Sequence, residues 1–158
     1  MFVAATGHRP DKLGGYDFYN PTREWVRYRI RQELAKLNPI ACISGMALGV
    51  DQDFAWVAMS MGIPVLAAIP FEGQESRWPE SSQAFYRDLR VRCYHTEIVC
   101  QGGYAPWKMQ KRNEWMVDHC QILVAVWDGG PGGTGNCVKY ATKVGRQMIR
   151  IDPRGERQ

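Results

Sequence analysis

No stretch of the 158-residue chain approaches the roughly 20 consecutive apolar residues of a membrane helix. Residues 1–5 run straight into polar Thr6, without the basic and apolar regions of a signal peptide. These two absences make a cytoplasmic, non-membrane protein the expectation. The five cysteines are odd in number and show no C-x-x-C spacing, which argues against a disulfide framework and a zinc knuckle and leaves buried free thiols. No repeat, low-complexity segment or Pro/Gly/Ser linker divides the chain. Charge of one sign is also scarce: the formal net charge of +4 is a mild bias toward anionic partners and falls short of a nucleic-acid signature. With 45% hydrophobic and 23% charged residues the chain is not disordered. A domain of this size holds a core without a metal or disulfide staple, and no cofactor or metal is called for.

Short apolar runs alternate with helix-length periodic segments almost to the end. Strands are expected at 2–5, 40–44, 65–69, 97–99, 122–126 and 148–151, and helices at 22–37, 50–61, 82–91, 107–120 and 134–144. Repeated right-handed βαβ crossovers build a mostly parallel sheet with helices on both faces, so the expected fold is a single α/β, Rossmann-like domain over 1–151 with a short tail at 152–158. Arg23, Arg27 and Arg31 recur every four residues, opposite Val26, Ile30, Leu34 and Leu37. That row reads as the solvated face of an amphipathic helix.

In such a sheet ligands bind beyond the carboxyl ends of the strands. The first of those loops reads Thr6-Gly7-His8-Arg9-Pro10. Gly7 lets backbone approach a ligand, Arg9 offers a planar fork for phosphate or carboxylate, and His8 is either structural or functional. The second, Ser44-Gly45-Met46-Ala47-Leu48-Gly49-Val50-Asp51, leads into a helix whose dipole and free N–H groups favour an anion. Asp51 reads equally as a helix cap or as a carboxylate for ribose hydroxyls. After the fifth strand, residues 129–135 hold five glycines in seven, an entropic cost that a mere connector does not need and a phosphate cradle does. Residues 130–135 also satisfy G-x-G-x-x-G, but that unit normally opens a Rossmann sheet and here closes one; no G-x-x-x-x-G-K-[ST] occurs. The third-strand loop, with Pro70, Phe71, Gln74 and Trp78, has the aromatics and polar groups to stack a base and contact its edge. Farther on, Arg112 sits amid an apolar stripe with Met109 and Met116, where a long cation either snorkels out or meets an anion.

These motifs together resemble the SLOG superfamily of Rossmann-like proteins, which contains the DprA/Smf proteins and the LOG ("lonely guy") phosphoribohydrolases, and most closely its YpsA-like branch. Thr6 to Pro10 is similar to that branch's opening motif and Ser44 to Asp51 to its second. Pro70-Phe71 with Gln74, Ser76 and Trp78, then Arg112-Asn113 with Met116-Val117-Asp118, then Gly132-Gly133-Thr134 with Asn136, Val138, Tyr140 and Ala141 are similar to the remaining three, in order. The resemblance implies a pocket for a nucleotide or nucleotide-derived sugar, with phosphate held by the turns at 45–51 and 129–136. The LOG motif P-G-G-x-G-T-x-x-E is partly present from Pro131 onward, but Lys139 stands at its glutamate and Asn136 at its threonine. A cation cannot serve as the carboxylate of N-glycoside cleavage.

The expected function is therefore binding of a nucleoside monophosphate or an ADP-ribose-like compound. If the protein is an enzyme, the resemblance implies N-glycosidic cleavage, with Asp51 or Asp128 as the relocated carboxylate, Arg112 and Arg9 on phosphate, and Trp78 or Trp127 stacking the base. Thr6, Gly7, His8, Ser44, Gly45, Gly49, Pro70, Asn113, Gly132, Gly133, Thr134 and Asn136 complete the expected ligand shell. A non-catalytic nucleotide sensor and a DprA-like single-stranded-DNA module are the alternatives. A homo-oligomer is expected.

Overall fold

The computed structural model describes residues 1–155. Six strands alternate with five helices: β1 (Phe2–Gly7), α1 (Pro21–Leu37), β2 (Ala41–Ser44), α2 (Val50–Ser60), β3 (Val65–Ile69), α3 (Glu80–Arg92), β4 (His95–Ile98), α4 (Pro106–Asp118), β5 (Ile122–Val126), α5 (Gly133–Lys143) and β6 (Gln147–Ile151). The strands lie in the order β4-β3-β2-β1-β5-β6, and every pair is parallel. All the expected elements are present with their ends shifted by a few residues, and the sheet is wholly rather than mostly parallel.

Strand side chains alternate between faces, and both faces are buried. Val3, Ala5, Cys42, Val65, Ala67, Val124 and Val126 pack with Val26, Ile30 and Leu34 of α1, Phe54 of α2, and Tyr86 and Leu89 of α3. The intervening Ala4, Ile43, Ala68 and Leu123 pack with Met116 and Val117 of α4 and Cys137 and Ala141 of α5. All five cysteines are free thiols, and burial pushes the Cys42 and Cys137 thiols up to about 12. Among the described residues no helix is long and apolar enough to cross a membrane.

Two expectations need correction. β4 is a polar strand, His-Thr-Glu-Ile, displaced toward the N-terminus from 97–99. It lies at the sheet edge, where its side chains meet water and an apolar run is not required. The arginine row of α1 is not a solvated face. Arg23 and Arg27 are buried, on the same stripe as Val26 and Ile30. Arg23 forms a two-pronged pair with Asp53 of α2, Nε to Oδ2 at 3.0 Å and Nη2 to Oδ1 at 2.7 Å, and Arg27 Nη1 lies 3.6 Å from the same carboxylate. The guanidinium of Arg27 also lies over the Phe18 ring, 3.7 Å from its centre. Arg31 alone is exposed, donating to Ser60 Oγ at 2.7 Å.

The topology fixes where a ligand can sit. The chain leaves β1 toward β2 on one side and leaves β5 toward β6 on the other, so the connections diverge at the β1–β5 boundary. A crevice opens there beyond the carboxyl ends of the strands. Gly7 is in register with Val126, which brings both strand ends level at its mouth. At the far end of the chain Arg154 Nη2 donates to Asp152 Oδ2 at 2.7 Å; residues 156–158 of the expected tail lie outside the described residues.

Candidate functional site

A cavity of about 330 Å³ occupies that crevice. The end of β1 supplies Thr6, Gly7, His8 and Arg9, and a single 3-10 turn (Pro10–Lys12) adds Asp11 and Lys12. Met109, Arg112 and Asn113 come from α4, while Ala47 comes from the β2–α2 connection and Asp51 from the first turn of α2. Pro131, Gly132, Gly133 and Thr134 come from the β5–α5 turn.

The β5–α5 turn presents bare backbone. Gly129 (φ 93°) and Gly132 (φ 129°) adopt conformations that side chains disfavour. Gly132 caps α5 without any side-chain hydrogen bond, and the first turn of the helix carries no acidic residue. A Cβ added to Gly132 or Gly133 would meet nothing within 4 Å. The first N–H groups of α5 therefore face the cavity at the positive end of the helix dipole. The rest of the turn is held from behind: Trp127 Nε1 donates to Gly130 O at 2.8 Å, and Gly130 N donates to Asp128 Oδ1 at 2.8 Å.

The β2–α2 turn is closed on itself. Ser44 Oγ donates to Asp51 O at 2.6 Å and accepts from Met46 N at 3.1 Å, Ala47 N donates to Asp51 Oδ2 at 3.3 Å, and Gln52 Nε2 donates to Met46 O at 3.2 Å. Val50 N donates to His8 O at 3.2 Å, and a Cβ on Gly49 would sit 2.5 Å from that same oxygen. Gly7 is needed for the same close approach, since a Cβ there would lie 2.5 Å from Val50. Only Ala47 and Asp51 of this segment reach the cavity.

Arg112 is buried against the cavity. Its Nη1 donates to Gly45 O at 2.7 Å and Ala68 O at 3.3 Å, and its Nε donates to Asn113 Oδ1 at 3.1 Å. Arg112 and Asp51 both close over Gly45, where an added Cβ would lie 2.6 Å from Nη1 and 2.8 Å from Asp51 Oδ2. Burial pushes the Asp51 carboxyl above its ordinary value, against the opposing pull of Arg112 and Arg9. On the facing side, Asp128 N donates to His8 Nε2 at 3.0 Å, so the imidazole accepts there and its proton is assigned to Nδ1. Burial lowers the His8 pKa although the Asp128 carboxylate, 3.1 Å away, opposes it. The backbone N–H of Gly130 and the nearby His8 and Lys12 hold Asp128 below its ordinary value.

The structure therefore gathers Thr6, Gly7, His8, Arg9, Asp51, Arg112, Asn113, Gly132, Gly133 and Thr134 around one cavity. Ser44, Gly45 and Gly49 stand behind it as the frame for Asp51 and Arg112. Asp128 reaches it only through His8 and Lys12. Trp127 is turned onto Gly130, with Arg150 over its ring at 5.1 Å, and does not line the cavity. Pro70 is buried behind Phe71, Trp78 lines a neighbouring cavity, and Asn136 is exposed on α5. Asp11, Lys12 and Met109 were not foreseen as lining the crevice cavity. For the first two the available signal was Pro10, which starts a turn at once and so keeps the next residues beside the strand end.

A family model for YpsA, described as the YspA SLOG family, matches residues 3–150. The SPbeta prophage-derived protein YoqJ of Bacillus subtilis (strain 168), described as uncharacterized, is 33% identical over 142 residues, covering 78% of this chain and 83% of YoqJ. Among solved structures, DNA processing protein A (DprA) of Streptococcus pneumoniae superposes with a TM-score of 0.69 at 18% identity, over 95% of this chain and 50% of that one. DprA of Helicobacter pylori, described for its single-stranded-DNA binding mode, gives 0.66 at 17% identity, over 95% of this chain and 64% of that one. This chain spans half of the first DprA and under two thirds of the second, and the likeness is one of fold. The family match covers every strand and helix that builds the crevice, and the chain belongs to the YspA SLOG family.

Proposed function

We propose that the crevice cavity binds the phosphate of a nucleotide or nucleotide-derived sugar, either a nucleoside monophosphate or an ADP-ribose-like compound. One observation carries this: the uncapped N-terminus of α5, bare at Gly132 and Gly133, faces a cavity whose other walls bring Arg9, Lys12 and Arg112. Helix N–H groups and cations converging on one space suit a phosphate, and a volume of about 330 Å³ suits a small ligand. Asp51, across the cavity, is the carboxylate for ribose hydroxyls. The test is ligand-induced thermal stabilisation with nucleoside monophosphates, NAD and ADP-ribose. The wild-type protein gains stability with at least one of them, and Gly133→Val, whose Cβ enters space with no atom within 4 Å, loses that gain. An equal gain in Gly133→Val would remove the phosphate role from α5. Binding of single-stranded DNA that falls steeply with salt would favour the DprA-like alternative instead.

A second reading, N-glycosidic hydrolysis, is favoured by Asp51 itself. A buried carboxyl with a raised pKa, beside Arg112 in a ligand-sized cavity, suits proton transfer to a departing base. Lys139 is exposed on α5 and lines no wall of this cavity. Chromatography of the same compounds after incubation decides. Release of free base that disappears in Asp51→Asn supports hydrolysis, whereas intact compounds that still raise the melting temperature leave a ligand sensor.

A further inference from the structure

The sheet ends on two strands, β4 and β6, each paired on one side only. Half of the backbone N–H and C=O groups of such a strand point away from the sheet, and native edges are commonly blunted against a further strand by lysine, proline, a bulge or a covering loop. β4 (His-Thr-Glu-Ile) holds neither lysine nor proline, and it keeps register with β3 from Leu66 and His95 through Ile69 and Ile98. Exposed apolar side chains fringe it. Tyr94 is 72% exposed and Ile98 is exposed as well, while Val91, near the end of α3, is 85% exposed although Tyr86 and Leu89 of the same helix are buried.

The register with β3 assigns the faces of β4. His95 and Glu97 lie level with Leu66 and Ala68, on the side of α4 and α5, whereas Thr96 and Ile98 lie level with Ala67 and Ile69, on the side of α1, α2 and α3. Tyr94, two residues before Thr96, falls on that second side. Turned end for end about a two-fold axis at Thr96, an antiparallel copy of β4 sets His95 opposite Glu97 of the other copy, Thr96 opposite Thr96, and Tyr94 opposite Ile98. An imidazole against a carboxylate, threonine against threonine and an aromatic ring against a β-branched side chain are all favourable cross-strand pairs. Within one chain His95 Nε2 already lies 3.4 Å from Glu97 Oε2, so two copies bring four alternating groups together on one face. The register is specific: an axis at Glu97 opposes two carboxylates, and an axis at His95 opposes two imidazoles. β6 lacks this self-complementarity, since an axis at its middle residue Ile149 sets Met148 against Arg150, whose Nε already donates to Trp127 O at 3.2 Å.

We propose that the free edge of β4 pairs with β4 of a second copy of this chain, antiparallel about a two-fold axis at Thr96, joining two six-stranded sheets into one. The occupant is a second copy because this edge carries both halves of each pair at matching distances from Thr96. The crevice opens at the β1–β5 boundary, three strands away from β4, so the pairing leaves it open and does not depend on what binds there.

The experiment is sedimentation equilibrium of the full chain, which shows monomer giving way to dimer as concentration rises. His95→Glu sets carboxylates against carboxylates and Glu97→Lys leaves His95 without one, and each weakens dimerisation about tenfold or more. Mixed in equal amounts, the two variants pair with each other again, because each supplies the charge that the other lacks. Both side chains are about half exposed, so the variants keep the fold. A second measurement needs no variant: in the wild-type chain, hydrogen exchange at the β4 amides slows as dimer forms, while exchange at the β6 amides does not change. A chain that stays monomeric up to about 1 mM overturns the proposal. So does a dimer indifferent to either variant, a mixture that stays monomeric, or a dimer whose β4 amides exchange as fast as the monomer's.

Discussion

The two glycine-rich turns that lead from a strand into a helix look alike in sequence and are opposites in the structure. At β2–α2 the carboxylates Asp51 and Asp53 occupy the first helical turn, Val50 gives its N–H to His8, and the His8 and Arg9 backbone presses on Gly49. At β5–α5 no acidic residue is present and nothing stands within 4 Å of a Cβ built on Gly132 or Gly133. A run of glycine reports that something approaches the backbone closely. Whether that something is the chain itself or a ligand is decided by the next residues, since a carboxylate in the first turn satisfies the helix from within. The closed turn is the frame, and the open turn is the one proposed as the cradle.

The comparison breaks first at Arg112, which ties the closed turn to α4. Arg112→Leu leaves Gly45 O without its shortest donor and Asp51 buried beside no cation of α4. The expected loss is about 3 kcal/mol or more in urea unfolding, as for several buried acceptors left without their donor. Next come two identical substitutions at the two turns. Gly49→Ala combines a φ of 94° with a Cβ 2.5 Å from the His8 carbonyl and is expected to destabilise by about 2 to 3 kcal/mol. Gly133→Ala meets open space and is expected to change stability by no more than about 1 kcal/mol, in either direction. Equal effects would mean that the turns do not differ as described.

The β-α rhythm and the strand ends at which the candidate cavity lies were legible in the sequence, because apolar periodicity reports buried faces and a parallel sheet dictates which strand ends hold loops. The third-strand loop with Trp78 was legible as aromatic and polar, though not as lining a cavity separate from the crevice. What sequence periodicity misjudged was pairing across elements. Arg23 and Arg27 looked solvated because they recur every four residues along one helix, and Asp53, thirty residues after Arg23, pairs with them only once α2 packs against α1. Trp127 likewise carries no local sign that its indole N–H is spent on Gly130 rather than left facing a ligand.

The aspartates of the two turns should answer pH with opposite signs. Burial raises Asp51, so its folded pKa exceeds its unfolded one and the folded state holds the proton more tightly. Stability from this group is greatest below the ordinary carboxylate range and declines as pH rises toward the folded value. Asp128 is lowered by Gly130 N–H, His8 and Lys12, so its contribution is present at neutral pH and fades as pH falls through its folded value. Asp51→Asn is therefore expected to flatten the decline above about pH 4, and Asp128→Asn to flatten the loss below it, in urea midpoints measured across that range. Slopes of the same sign would place both carboxylates in the same kind of turn.

The smallest effect is the most discriminating for the cradle's edge. Asn136 lies three residues beyond Gly133, and its own N–H already donates to Gly132 O at 2.9 Å, making it the first backbone donor of α5 that needs no ligand. Its side chain is exposed and lines no part of the cavity. Asn136→Ala is thus expected to keep both the ligand-induced rise in melting temperature and the unfolding free energy, the latter to within about 0.5 kcal/mol. Gly133→Val loses the rise while sharing the same helix start. If Asn136→Ala also lost it, the ligand would have to reach past the bare N–H groups onto the exposed face of α5. The open turn would then be the entrance to a longer site.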